Sequence, residues 1–377
     1  LPGRFDFGRY PVRIYTRDKE GKPLAVLTNS FVWDRPPWYQ NTLGLDRFVP
    51  PPWIPIERKK ANQLLVWGRT IELGEDGLPS AIESQGRPLL KHPIRIQTRL
   101  AGQEPKGFQG RGVVFEEQSS DRVTWAASWE GGISGLVTAV MEYDGLILYT
   151  VALHRVEGTP PPVLERLWVD IPLDPQECSQ LIANGGGWNF RNSYDVRFIP
   201  AGTGSVWNSR TSKPTMERGV GYGSFLPQIW VGGDRVGLSI SGENDRGWTP
   251  DKEIPAQELI REGDALIFRM NVVTRPVTVE TERAFAFILL PTPSKPAPSG
   301  WRAWNRTPRG VPIERYENID DFDGDPLTSR RGDMKPLTFQ VEPASWEDAE
   351  YWAAVGRAKA GPGNPVLKYL NYSWPSF

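Results

Sequence analysis

Glu243-Asn244-Asp245-Arg246-Gly247-Trp248 places two carboxylates, a guanidinium and an indole within one turn, directly after an apolar strand. Carboxylates at Glu243 and Asp245 can accept from sugar hydroxyls, and Trp248 can stack on a pyranose face. Trp230, on the hairpin that leads into this loop, adds a second aromatic surface. The same residues also make a plain structural corner, with Arg246 paired to a carboxylate and Trp248 plugging the sheet. Both readings stand at this point.

Elsewhere the chemistry thins out. The chain has 45 acidic residues, so a glycosidase-like pair of facing carboxylates can always be nominated, and no catalytic residue is assigned. Asp321, Asp323 and Asp325 are spaced two apart, as in a calcium loop. Gly324 sits at loop position four rather than six, and Gly332 stands where the closing Glu belongs. Calcium is therefore the one metal in view, and no other cofactor is expected. Asn305-Arg306-Thr307 and Asn371-Tyr372-Ser373 match the glycosylation sequon, which matters only for an exported chain. Cys178 is the single cysteine, and only His92 and His154 could serve it as a base. A buried, inert thiol is the simpler reading.

Composition sets what can hold such sites. With a net charge of −1, the chain carries no electrostatic footprint for nucleic acid. No apolar run is long enough for a transmembrane helix. The opening LPGRFDFGRY lacks a charged-then-apolar leader and reads as a processed form or a piece of a longer chain. Gly 38 and Pro 36 together make about a fifth of the 377 residues, against a usual share near 12%. Abundant turn formers with aromatic and β-branched runs predict many short strands.

The expected fold is mainly β: two antiparallel β-sandwich lobes, a short C-terminal helix and an irregular aromatic tail. Lobe 1 spans 1–175, lobe 2 spans 176–300, and 301–377 forms an extension with a helix near 344–360. Leu136–Tyr143 and Leu146–Val156 flank Asp144-Gly145, a strong hairpin signal. Val137, Ala139, Met141 and Tyr143 share one face by period two. ALIFRMNVV and AFAFILL, within 264–290, read as strands buried on at least one face.

Several stretches, taken in order, resemble the amino-terminal β region of glycoside hydrolase family 123 over roughly residues 25–302. They are Asn41-Thr42-Leu43-Gly44 with Pro51-Pro52-Trp53; Val66-Trp67-Gly68-Arg69; Glu142-Tyr143-Asp144-Gly145; Trp230 with Gly237-Leu238 and Glu243 to Trp248; and Thr292-Pro293-Ser294-Lys295-Pro296. The resemblance implies a β-sandwich region preceding a (β/α)8 barrel. It also implies that an Asp-Glu pair on the barrel supports attack by the acetamido group of N-acetylgalactosamine. The chain contains no Asp-Glu dipeptide, and about 75 residues follow Trp301, short of the roughly 250 of a barrel. No catalytic residue of the family transfers.

Three functions follow as expectations. The first is a non-catalytic glycoside-hydrolase-like β-sandwich protein that binds glycan or a partner subunit. The second is a structural subunit of an extracellular filament, tube or surface layer, self-associating through sheet edges and the tail Tyr369–Phe377 into a homo-oligomer or polymer. The third is a glycosidase or a fragment of one. The first two place the protein outside the cell or at its surface.

Overall fold

The computed structural model describes residues 8–34, 39, 42, 47–185, 194–218, 224–249 and 251–297. Numbered along the chain, its strands form four sheets with antiparallel pairing. The first is a ribbon of β1 (Gly8–Arg17) and β2 (Pro23–Trp33). The second comprises β3 (Glu57–Lys60), β4 (Gln63–Val66), β5 (Arg69–Leu73), β6 (Pro79–Ser84) and β7 (Arg87–Pro88). The third has seven strands: β8 (Arg95–Leu100), β9 (Lys106–Gly107), β14 (Val163–Leu173), β17 (Gly204–Asn208), β20 (Gln257–Glu262), β21 (Ala265–Val273) and β22 (Val277–Thr278). The fourth has nine: β10 (Gly110–Gln118), β11 (Arg122–Trp129), β12 (Ser134–Glu142), β13 (Ile147–His154), β15 (Gln180–Asn184), β16 (Tyr194–Phe198), β18 (Gln228–Gly232), β19 (Gly237–Gly242) and β23 (Glu282–Thr292). Helix, among the described residues, amounts to a 3-10 turn at Ser209–Thr211, the short α1 (Lys213–Arg218) and a 3-10 residue at Ser224. The helix near 344–360 and the aromatic tail lie outside the described residues.

Alternation builds this architecture. Val123, Trp125, Ala127 and Trp129 point inward from β11, and Val137, Ala139 and Met141 from β12. Residues between them stay partly open, as period two requires. The Asp144-Gly145 turn behaves as expected: Gly145 takes φ +81°, and the Asp144 carboxylate accepts from the Leu146 N–H at 2.9 Å. One apolar cluster joins the five-, seven- and nine-stranded sheets, running from Leu64 and Ile71 through Val137 and Tyr149 to Val169 and Phe268. At its centre Tyr149 stacks on Phe287 at 5.0 Å and meets Trp125 edge-on at 6.0 Å.

The expected lobe boundary near 175 falls between β14 and β15. Strands from both sides of it share both large sheets, since β13 pairs with β23 and β14 with β21. The Glu157–Pro162 stretch that suggested a linker is a turn feeding β14, which pairs with both β8 and β21, with one register shift in each pairing. The chain instead divides into units at Leu1–Ser294 and Lys295–Phe377.

Candidate functional site

The acidic loop begins where β19 ends. Glu243 and Asp245 are exposed, and the Asn244 side chain accepts from the Arg246 N–H at 2.9 Å, closing a tight turn. The Trp248 N–H donates to the Asp245 carbonyl at 3.2 Å. Gly247 takes φ +81°, and a Cβ there would lie 2.1 Å from the Ala284 carbonyl oxygen, so only glycine fits. Trp248 packs edge-on against Phe225 at 4.9 Å and against the core. Its indole Nε1 is buried and has no acceptor.

Arg283, on β23, donates to the Gly247 carbonyl. Its Nε is likewise buried without an acceptor, and burial lowers its pKa. Two unmet donors therefore flank one glycine, beside two exposed carboxylates. The loop is a turn with Trp248 packed on the sheet, while Arg246 is exposed and makes none of the ion pairs seen among the described residues.

Trp230 is not part of that corner. It lies opposite Ser239 on β18, and its ring covers Gly232 and Gly237, where a Cβ would come within 2.5 Å of it. Its Nε1 donates to Thr292 Oγ1 at 2.9 Å, and Thr292 Oγ1 in turn donates to the Gly237 carbonyl at 3.1 Å. Trp230 thus stands near the start of β19 and the acidic loop beyond its end, several residues of extended chain apart.

The described parts of the stretches at 53, 66–69, 142–145 and 292–296 converge elsewhere, on Arg69. This side chain is 1% exposed. Its Nε donates to Trp67 O at 3.0 Å, one terminal nitrogen to Asp144 O at 2.5 Å and Pro291 O at 3.1 Å, and the other to Ser294 O at 2.9 Å. Burial pulls the guanidinium pKa down to about 10, and the Asp144 charge opposes the fall. Trp53 donates to the same Ser294 carbonyl at 2.8 Å and meets Tyr143 edge-on at 5.4 Å. Ser84 Oγ donates to Thr292 O at 3.0 Å. This knot fastens the five-stranded sheet to the nine-stranded one.

The remaining tryptophans and titratable residues described settle into plain roles. Trp125 donates to Gly77 O at 2.8 Å, and Trp207 to Asp195 at 3.1 Å, both as core fillers. Cys178 is buried, and burial with nearby Asp174 and Glu177 pushes its thiol up to about 12. His92 pairs with Asp264 at 2.8 Å on the surface. No group of three metal-ligating side chains occurs among the described residues. Asp321, Asp323, Asp325, Asn305 and Asn371 lie outside them. Nor does the first unit's described part contain a helix long and apolar enough to cross a membrane.

One feature went unread in the sequence. A cleft of about 560 Å³ opens beside β9 and the β11–β12 turn, with Phe108, Gln103, Gln109 and Glu130 among its walls. Most of these residues sit in an unpatterned polar stretch.

Comparison with known proteins places these features. Glycoside hydrolase 123, third domain, matches residues 58–250, just over half of the chain. No curated protein matches in sequence. Among solved structures, an Aspergillus nidulans amine oxidase is similar with a TM-score of 0.35 and 9% identity, over 66% of this chain and 55% of that one. Galactose 1-epimerase from Lactobacillus acidophilus NCFM gives a TM-score of 0.34 and 8% identity, over 64% of this chain and 98% of that one. The chain thus spans little more than half the length of the amine oxidase, and likeness at this level carries no argument about activity. The family match does carry one about descent: the protein belongs to the glycoside hydrolase 123 family through its third domain.

Proposed function

We propose that the protein is a non-catalytic β-sheet module of glycoside hydrolase 123 type that binds glycan, using the corner at Glu243–Trp248. The observation that supports this is the pair of exposed carboxylates, Glu243 and Asp245, on a turn that Gly247 and the half-buried Trp248 hold in place. A polyhydroxylated ligand both donates and accepts, which suits such a corner. Glu243 and Asp245 sit on one exposed turn, two residues apart, rather than across a cleft, so they lack the facing geometry of a hydrolytic pair.

Calorimetry with N-acetylgalactosamine and a panel of oligosaccharides tests the reading. The expected result is binding that weakens at least tenfold in the Glu243→Gln, Asp245→Asn double variant, with no turnover of aryl glycosides. Turnover abolished by the same variant would make the corner an active site instead. Absence of any glycan binding would reject the glycan version.

A second reading, a self-associating structural subunit, is favoured by the β1–β2 ribbon. Val12, Ile14, Leu27, Phe31 and Trp33 are 38–61% exposed, and the register puts Ile14 opposite Leu27 on one face. An isolated two-stranded ribbon is marginal in water, so this face gains by being covered. Light scattering over a concentration series tests it. Association that disappears in Ile14→Thr, Leu27→Thr supports the subunit reading, and a monomer at every concentration rejects it.

A further inference from the structure

The cleft beside β9 has a build that the corner lacks. Its volume of about 560 Å³ falls within the roughly 300–1,000 Å³ of small-ligand sites. Its apolar wall is Phe108, half-buried and stacked on Trp129 with ring centroids 3.9 Å apart and planes 22° apart. Trp129 is 2% exposed and held from behind by Gly135, where a Cβ would lie 1.8 Å from the indole. The aromatic pair is therefore fixed before any ligand arrives, which lowers the ordering cost of binding.

The rim is polar and exposed. Gln103 and Gln109 present amides that can both donate and accept, while Glu104 and Glu130 present carboxylates and Lys106 an ammonium. Glu130 is also paired to Arg111 at 2.5 Å. With two carboxylates set against Lys106 and the Arg111 that pairs Glu130, the rim carries no net charge and offers phosphates, nucleotides and acidic sugars no excess of cations. Gly131 and Gly132 keep one side of the opening free of side chains. A flat apolar wall under a ring of bidirectional hydrogen-bonding groups suits a ligand with one C–H face and an equatorial belt of hydroxyls.

We propose that this cleft is a second glycan site, distinct from the corner, and that it takes an uncharged pyranose unit packed on Phe108 with its hydroxyls on Gln103 and Gln109. It rests on the glycan-binding reading only for the class of ligand.

The test is calorimetric titration of the full chain with methyl β-galactoside, methyl β-glucoside and N-acetylgalactosamine. Gln103→Ala with Gln109→Ala removes exposed groups, so folding should be untouched. Gly131→Phe plugs the opening; its added Cβ meets nothing nearer than 3.6 Å, and the position has no left-handed φ. The expected result is one binding event weakened at least tenfold by the double alanine and abolished by the plug, with unchanged melting temperature. Trp248→Phe should leave that event alone. Binding unchanged in both cleft variants but lost in the corner variants would overturn the cleft and keep the corner. No binding of any of the three sugars by the unmodified chain would overturn the cleft proposal. Galacturonate binding as tightly as the neutral sugars would overturn the preference for an uncharged ring.

Discussion

Two arginines in this molecule, Arg69 fully buried and Arg283 half-buried, have opposite fates. Arg69 finds backbone carbonyls from four separate places, 67, 144, 291 and 294, and none of its acceptors is a carboxylate. Arg283 finds one carbonyl, that of Gly247, and keeps its Nε–H unmet. A guanidinium holds five N–H groups in a rigid fork, so the number it satisfies measures what the surroundings were built to do. Around Arg69 the chain has closed on the cation, and around Arg283 it has stopped short. The first arrangement is structure. The second leaves a donor without a partner, and Trp248 repeats the pattern against Trp230, whose N–H is spent on Thr292.

Breaking the stronger side of the comparison should cost most. Arg69→Ala strands buried carbonyls in three segments and opens a hole at the sheet junction. A loss of about 4 kcal/mol is expected in urea unfolding. Arg69→Lys should recover only part of it, because a point charge cannot reach all four acceptors. A loss under about 1 kcal/mol for Arg69→Ala would remove the junction's claimed role.

The next effect calibrates burial itself. The Cys178 thiol is raised from 9.0 to about 12, so above pH 9 the unfolded chain gives up its proton while the folded one keeps it. Fewer protons are then bound in the unfolded state, and stability falls with pH between about 9 and 12. The slope contributed should approach about 1.4 kcal/mol per pH unit. Urea midpoints at pH 8, 9 and 10 should show a difference between wild type and Cys178→Ala that changes by this amount. Parallel pH profiles would show that the thiol is not held protonated.

Smaller effects divide the two tryptophans. Trp230→Phe keeps a ring over Gly232 and Gly237 but loses the bond to Thr292, for about 1 kcal/mol. Trp248→Phe removes a donor that has no acceptor, so stability should hold or rise slightly. Arg283→Met belongs with it, at a cost below about 1 kcal/mol, because it deletes an under-satisfied, half-buried cation. Thermal melts of the three variants decide the matter. A Trp248→Phe loss as large as that of Trp230→Phe would erase the distinction on which the corner depends.

What the sequence could show followed from side-chain pattern. Val137, Ala139 and Met141 alternate, Asp144-Gly145 breaks the run, and the hairpin follows from those residue types alone. The mainly β, antiparallel architecture was legible for the same reason. The role of Arg69 was not, because its acceptors are backbone carbonyls, which every residue has, in segments more than 200 positions apart. The stretch before Val163 looked like a linker because proline and glycine mark turns and boundaries alike. At the candidate site, Glu243 to Trp248 stood out as a polar cluster, but its partner Arg283 sits within an apolar strand and gave no signal. Phe108 and Gln103 lacked any periodic context, so the cleft became visible only with coordinates.

The position of β23 has a consequence for how the molecule is made. This strand is the last in chain order among those described, yet it lies in the interior of the nine-stranded sheet, between β13 and β19. Its partner Ile147 is paired with Leu289, across a long stretch of intervening chain. Until the ribosome has released β23, β13 and β19 each present an unpaired edge lined with apolar side chains. The nascent chain must therefore carry two half-sheets that cannot yet join, and long-range pairing of this kind closes slowly. The interval before β23 docks is when the chain is most exposed to edge-to-edge aggregation and most in need of a chaperone.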